Sequence, residues 1–200
     1  MPRAQTDPDA LRARALDIAR SLLIEDGPRG VKAREVASRL GVSVGTVYNL
    51  FGDLEGLSRS LNVQVYDELY AAVTGGLAEC DSPDVRERML SLARAYLRYV
   101  ADHAELWEGV LASNRRARHA PPAWYREKEV ALLGVIKDVI GALPGAREAQ
   151  SRDLAARALW SAVHGITTIS VGRGGLIVPE SEVQTQLDLV VGAVADRLSA

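Results

Sequence analysis

Small and polar residues crowd one short stretch of the chain, "SRLGVSVGTVYNLFGDLEGL" at residues 38 to 57. A glycine loop can cradle a phosphate when it follows a buried strand, because consecutive backbone amides then point at the anion. Here the residues before Gly41 have helical spacing, and no strand pattern precedes them. A tight turn between two short helices fits the pattern better and is typical of a helix-turn-helix.

The second of these short helices has two chemically distinct faces. The apolar residues predicted to fix both short helices against a first one are Val36, Ala37, Leu40, Val42, Val47 and Phe51. The residues left facing outward are Val44, Gly45, Thr46, Tyr48 and Asn49. Small residues at its leading end let the backbone approach base edges, and Thr46 adds a hydroxyl and a methyl group. Asn49 can bond an adenine edge or a phosphate, and Tyr48 can reach a phosphate.

The charge pattern restricts a DNA-binding surface to this region. The whole chain of 200 residues has 24 Lys plus Arg against 26 Asp plus Glu, so it is not a globally cationic nucleic-acid binder. Its hydrophobic fraction of 48% also excludes general disorder. The residues from 29 to 51 nevertheless hold four cations and one acid, namely Arg29, Lys32, Arg34 and Arg39 against Glu35. A local basic patch of this kind favours nucleic-acid binding.

Helical periodicity extends along the rest of the chain. Asp7-Pro8 begins a first helix that Gly27-Pro28 ends, and three helices fit within residues 8 to 51. Further helices are predicted at about 54 to 79, from near 83, and at 103 to 114, 121 to 143, 147 to 171 and 180 to 199. No segment alternates with period two, so the fold class is all-α.

Two stretches interrupt the helices. "NRRARHAPP" at 114 to 122 is basic and ends in prolines, which indicates an exposed connection. It is either a solvated loop or a contact for an acidic ligand or phosphate. "GRGGLIVP" at 172 to 179 predicts a turn, and it lacks the ending of a nucleotide-binding loop.

Enzymatic and metal sites are not indicated. Cys80 is the single cysteine, and no Cys/His group has zinc-ligand spacing. No nucleophile has a base beside it in a known motif, so we predict no enzyme, no cofactor and no metal. The N-terminus lacks a signal-peptide core, and the longest uncharged run, 158 to 172, is shorter than the roughly 20 residues that span a bilayer. These features predict a soluble cytoplasmic protein without a membrane partner.

The stretch "ALDIARSLLIEDGPRGVKAREVASRLGVSVGTVYNLFGDLEGL" resembles the N-terminal DNA-binding domain of the TetR family of bacterial transcriptional regulators, over about residues 10 to 57. "LWSAVHGITTIS", with Trp160, His164 and Gly165, resembles the C-terminal domain of the Trp-His-Gly subgroup. The resemblance implies a homodimeric repressor that binds palindromic double-stranded operator DNA and is released by a small-molecule effector. It implies a helix-turn-helix domain at 1 to 53 and a larger ligand-binding and dimerisation domain at 54 to 200, joined by the long helix.

Carried over by position, Arg34 falls where family members contact a base or a phosphate from the second helix. The DNA-binding residues implied are Lys32, Arg34, Ser43, Val44, Gly45, Thr46, Tyr48 and Asn49. Leu50 stands where a His is common, and Leu54 stands where the family usually has a phosphate-gripping Lys. Each departure removes a polar contact, which Lys32 and Arg59 could supply instead.

The C-terminal helices carry the predicted dimer face and ligand pocket. The residues predicted at the dimer interface are Ala155, Ala158, Ala162, Gly165, Leu187, Val190, Val191 and Val194, the alternative being core helices of a monomer. The resemblance places the effector cavity among the helices that carry the aromatic residues, and it implies contacts of a largely apolar effector with Tyr96, Tyr99, His103, Trp107, Trp124, Tyr125 and His164. Ordinary packing is the alternative for these aromatic residues and for His164. A dimeric adaptor that binds another protein without DNA is the alternative function.

Overall fold

A computed structural model describes residues 7 to 171 and 179 to 200. Within those residues the chain is built from α-helices and contains no strand, which confirms the all-α prediction. The helices are α1 Pro8–Asp26, α2 Ala33–Leu40, α3 Val44–Phe51, α4 Leu54–Ala78, α5 Val85–Asp102, α6 Ala104–Arg116, α7 Ala123–Ile140, α8 Ala149–Val171 and α9 Glu180–Ser199. Single 3-10 turns at Gly27–Arg29 and Pro144–Ala146 were not predicted. The predicted turn at 172 to 179 lies outside the described residues except for Pro179.

The ends of the first three helices follow from capping residues. Asp7 accepts a hydrogen bond from the Asp9 amide at 3.1 Å, and Pro8 opens α1. Gly41 ends α2 with φ +75°, a left-handed conformation that favours glycine. The Ser43 hydroxyl accepts from the Thr46 amide at 3.1 Å and so caps α3. The local sequence therefore sets the turn between α2 and α3.

The chain folds into two compact units, each made of two separate stretches of sequence. The first unit comprises residues up to 65 together with 105 to 125, and the second comprises 66 to 104 together with 126 to 200. Compactness alone does not test whether the DNA-binding function ends after residue 53. That functional boundary stays a prediction.

The core of the first unit fixes α2 and α3 against α1. Val36, Val47 and Leu22 are each no more than 1% exposed, and Leu40 and Phe51 are also buried. These residues are the apolar positions read from the sequence, together with the inner face of α1. Burying one face of α3 leaves its opposite face at the surface of the unit.

The second unit packs α5, α8 and α9 together with the 3-10 turn at Pro144–Ala146. Leu187 and Val191 are 0% exposed in the core of the single chain. Both side chains are enclosed by their own subunit, and their predicted place in the dimer interface stays a prediction. These two buried side chains anchor α9 to the core of its own unit. None of the described helices has an apolar stretch that could cross a membrane.

Candidate nucleic-acid interface

The predicted recognition surface lies on the exposed face of α3 and the start of α2. Tyr48 is 45% exposed, and Gly45 and Asn49 are exposed beside it. Val44 and Thr46 are half-buried. The Thr46 and Ser43 hydroxyls lie 3.0 Å apart, so Thr46 also secures the first turn of α3. The exposed donors and acceptors are those that base edges and phosphates require.

The cations of the basic patch differ in their availability. Lys32 and Arg34 are exposed and form no ion pair with any described residue. Arg39 instead donates to both carboxylate oxygens of Glu25, at 3.1 and 2.7 Å. This bidentate bond and the charge of Arg39 outweigh desolvation and lower the pKa of Glu25. Lys32 and Arg34, like the exposed Arg29, thus form no ion pair with the described residues.

The two departures from the family pattern have different surroundings. Leu54 is 41% exposed at the first residue of α4, and Leu50 is half-buried. Arg59 forms an ion pair with Glu55 and donates to the His119 carbonyl at 2.6 Å. Arg59 is therefore engaged within its own unit in the absence of DNA. That Lys32 or Arg59 replaces the missing lysine stays a prediction.

Arg12 was not predicted, yet it connects three helices around α3. Its Nη1 donates to the carbonyl of Leu50, and its Nη2 donates to the Ser60 hydroxyl at 3.2 Å. Its guanidinium carbon lies 4.6 Å from the centroid of the Phe51 ring. The side chain thus ties the C-terminal end of the recognition helix to α1 and α4. No sequence signal separates Arg12 from the other arginines of α1.

The residues predicted to line one effector pocket are divided between the units. Trp107, Trp124 and Tyr125 belong to the first unit, and the other four belong to the second. Tyr125 donates to Asn114 at 2.7 Å, and Trp124 is 44% exposed. Only Tyr96 of the predicted set lines the apolar cavity of the second unit, whose volume is about 40 Å³. Trp160 lines this cavity as well. It belongs to the Trp-His-Gly motif but was not among the predicted effector contacts.

Tyr96, Trp160 and His164 form a polar and aromatic cluster at this cavity. The Tyr96 oxygen is 2.7 Å from His164 Nδ1. Trp160 stacks on His164 with 5.6 Å between ring centroids and meets Tyr96 edge-on at 5.1 Å. Burial raises the pKa of Tyr96 and lowers the pKa of His164. At neutral pH both groups are therefore uncharged, which suits contact with a largely apolar molecule.

The stability of the protein should depend on pH through His164. Because burial lowers the pKa of His164 in the folded state, the unfolded state binds its proton first as the pH falls below about 6.5. We expect wild type to lose stability relative to His164→Gln between about pH 6.5 and the lower folded pKa. Urea unfolding of both proteins from pH 7.5 to 5 measures this difference. A difference that stays constant over that range would contradict the expectation.

Two family models match the chain. The model described as "Bacterial regulatory proteins, tetR family" matches residues 15–61. The model described as "Tetracyclin repressor-like, C-terminal domain" matches residues 89–194, which is more than half of the chain. The chain belongs to the TetR family. The models do not test the Trp-His-Gly subgroup, which stays a prediction.

Proteins of known sequence or structure that are similar to this chain include transcriptional regulators and a protein of unknown function. The HTH-type transcriptional regulator Rv1816 of Mycobacterium tuberculosis is 22% identical over 134 residues, which are 67% of this chain and 57% of that protein. The chain thus spans little more than half the length of that relative. A Rhodococcus sp. RHA1 protein of unknown function has the same fold, with 24% identity, a TM-score of 0.73 and full coverage of both chains. A structure described as a TetR-family regulator from Mesorhizobium loti has 22% identity, a TM-score of 0.68 and 96% and 98% coverage.

The TetR family is one of bacterial transcriptional regulators. The exposed face of α3 lies within the segment that the tetR-family model matches. Of the described residues, no group of three or more His, Cys, Asp and Glu side chains could hold a metal ion.

Proposed function

We propose that this TetR-family regulator is a repressor that binds a palindromic operator as a homodimer in the bacterial cytoplasm and is released by a small molecule. The observation that carries the proposal is the exposed face of α3, with Tyr48 and Asn49 outward and Val47 in the core. The unpaired Lys32 and Arg34 beside it supply phosphate contacts. All eight proposed DNA contacts belong to the first unit.

The proposed dimer face uses the outer sides of α8 and α9. Ala158 is exposed, and a Cβ added at Gly165 would meet nothing within 4 Å, so another helix can approach closely there. Ala155, Ala162, Val190 and Val194 are half-buried and remain part of the proposed face. Three large apolar side chains that were not predicted are exposed on these helices, namely Leu154 (65%), Ile169 (48%) and Leu189 (71%). Their burial in a dimer would stabilise it through the hydrophobic effect.

The proposed effector site is the apolar cavity lined by Tyr96 and Trp160. At about 40 Å³ the cavity is far below the 300 to 1,000 Å³ typical of small-molecule sites. The effector must therefore widen it, and that rearrangement gives two conformations with different affinity for the ligand. If one conformation spaces the two recognition helices wrongly for DNA, effector and operator weaken each other by the same factor.

Selection of bound DNA from a random pool tests the proposal. Wild type should select a palindrome whose half-site centres lie about one helical turn, or a little more, apart. Thr46→Val should change the preferred base at one position in each half-site, because it removes a hydroxyl that can contact a base. Sequencing of the selected pools measures both results.

Arg34→Ala is the matched control for this selection. It should select the same sequence as wild type with weaker binding and a salt slope lower by about one, because a phosphate contact carries no base preference. Selected DNA without dyad symmetry would contradict the proposal that the protein binds DNA as a homodimer. Recovery of no DNA by any of the three proteins would favour the adaptor alternative.

A further inference from the structure

The first unit contains a cleft of about 470 Å³ that none of the predicted DNA-binding, effector or dimer residues lines. Its walls come from the end of α1, the first turns of α4, and α6 with the connection that follows it. The volume lies within the range of small-molecule sites. Unlike the cavity at Tyr96, this cleft can accept a ligand without first being widened.

The acidic groups in the cleft are already engaged. Glu55 forms an ion pair with Arg59, and its other oxygen lies 3.3 Å from both the Arg118 amide and His119 Nδ1. Burial opposes ionisation of Glu55, but these hydrogen bonds and the charge of Arg59 outweigh it and lower its pKa. Asp53 accepts from the Gly56 amide at 2.7 Å at the start of α4. Arg59 therefore neutralises Glu55, whereas Asp53 keeps its negative charge and is oriented by the Gly56 amide.

The guanidinium groups in the cleft, by contrast, are available. Arg116 and Arg118 both line it and form no ion pair with any described residue. Arg115 differs, because it donates to Glu108 at 2.9 Å and does not line this cleft. The Arg118 amide bond to Glu55 fixes the connection against α4, so the free charges are held at the cleft before a ligand arrives. Because Arg59 neutralises Glu55, the two guanidinium groups outnumber the one remaining carboxylate, that of Asp53, and give the cleft an excess of positive charge.

The remaining walls supply an apolar surface and one buried acceptor. Leu23, Val31 and Leu61 line the cleft and can cover a hydrocarbon or aromatic body. Asn62 also lines it and is only 2% exposed. Its amide nitrogen donates to Tyr125 at 3.0 Å, whereas its amide oxygen has no hydrogen bond to a described residue. This amide oxygen can accept a hydrogen bond from a ligand that brings a hydroxyl or amine.

We propose that this cleft is a second ligand site, which binds a small organic anion with an apolar body and a hydrogen-bond donor. Arg116 and Arg118 hold the carboxylate or phosphate, and Asn62 accepts from the donor. Of the two roles that the sequence leaves open for the basic stretch at 114 to 122, this proposal assigns it the contact with an anion. It is distinct from the effector cavity of the second unit.

Calorimetric titration of the full chain without DNA tests this site with defined probes. We expect 4-hydroxyphenylacetate to bind, phenylacetate to bind more weakly because it lacks the hydroxyl, and tyramine to show no binding because its charge is reversed. Phenyl phosphate in a parallel titration distinguishes a phosphate site from a carboxylate site. Hydrogen exchange with bound probe should slow at residues 53 to 62 and 109 to 119, and not at 89 to 96.

Charge-removing variants identify the residues responsible. Arg118→Gln, alone or with Arg116→Gln, should weaken binding of the anions about tenfold or more, as expected for loss of a hydrogen bond to a charged group. Arg98→Gln is the matched control, because Arg98 is exposed on α5 in the second unit and does not line the cleft. It should bind like wild type. Circular dichroism and urea unfolding confirm that each variant is folded.

Three results would overturn the proposal. The first is that no anion binds at about 1 mM or below. The second is that tyramine binds as well as the anions, and the third is that the arginine variants bind the anions unchanged but lose affinity for DNA. The third result would show that these arginines contact DNA phosphates instead. Because the first two results come from titrations without DNA, they are independent of whether the operator proposal holds.

Discussion

Gly56→Ala should destabilise the first unit by about 2 to 3 kcal/mol, as overpacking of a tight contact does. A Cβ at this position would lie 2.0 Å from the carbonyl oxygen of Phe51, the last residue of α3. The backbone of α3 or α4 must move to relieve that contact, because a carbonyl cannot rotate away like a flexible side chain. We therefore also expect DNA affinity to fall at least tenfold, since the recognition helix is displaced. Urea unfolding and an electrophoretic shift with selected DNA measure the two effects.

Gly75→Ala is the matched control in the same helix. A Cβ there would meet nothing within 4 Å, and the residue lies in the last turn of α4, which ends at Ala78. It should stabilise the protein by about 0.5 to 1 kcal/mol, because glycine is less favourable than alanine within a helix. DNA binding should stay unchanged. Equal effects of the two substitutions would show that helix propensity, and not the contact with Phe51, governs this position.

Arg12→Ala should reduce both stability and DNA binding. It removes two hydrogen bonds from a charged group and the contact with the Phe51 ring, together worth about 2 to 3 kcal/mol. Arg12→Lys should recover only part of this, because an ammonium lacks the planar fork that reaches two acceptors. Arg14→Ala, at an exposed position of α1, is the control for stability.

The salt dependence of DNA binding separates the roles open to Arg12. A positioning residue weakens binding when it is removed but leaves the slope of log K against log salt unchanged. A residue that grips a phosphate lowers that slope by about one. We expect the unchanged slope for Arg12→Ala and the lowered slope for Arg34→Ala. The reverse pattern would assign Arg12 to the DNA contact itself.

The sequence alone determined the helices and the outward face of α3. Periodicity, Pro8, Gly41 and Ser43 are local signals, and each acts within one turn of chain. The helix α4 was predicted at 54 to 79 from its helical periodicity, and it lies at Leu54–Ala78. Val47 is buried and Tyr48 is exposed because successive residues of an α-helix are rotated by about 100° around its axis. Local chemistry was therefore sufficient for the helix-turn-helix.

Interactions between residues distant in sequence were decided only by the tertiary structure. Arg12 meets Leu50 across 38 residues, and Glu55 meets Arg118 and His119 across more than 60. Helical spacing also could not show that Leu187 and Val191 face their own core while Leu189 faces outward, because an apolar helix near the surface has apolar residues on several faces. Packing against other helices decides which apolar face of a helix is buried. Periodicity within that helix does not show which other helix packs against it. The cleft beside Asn62 exists for the same reason, since three segments distant in sequence form its walls.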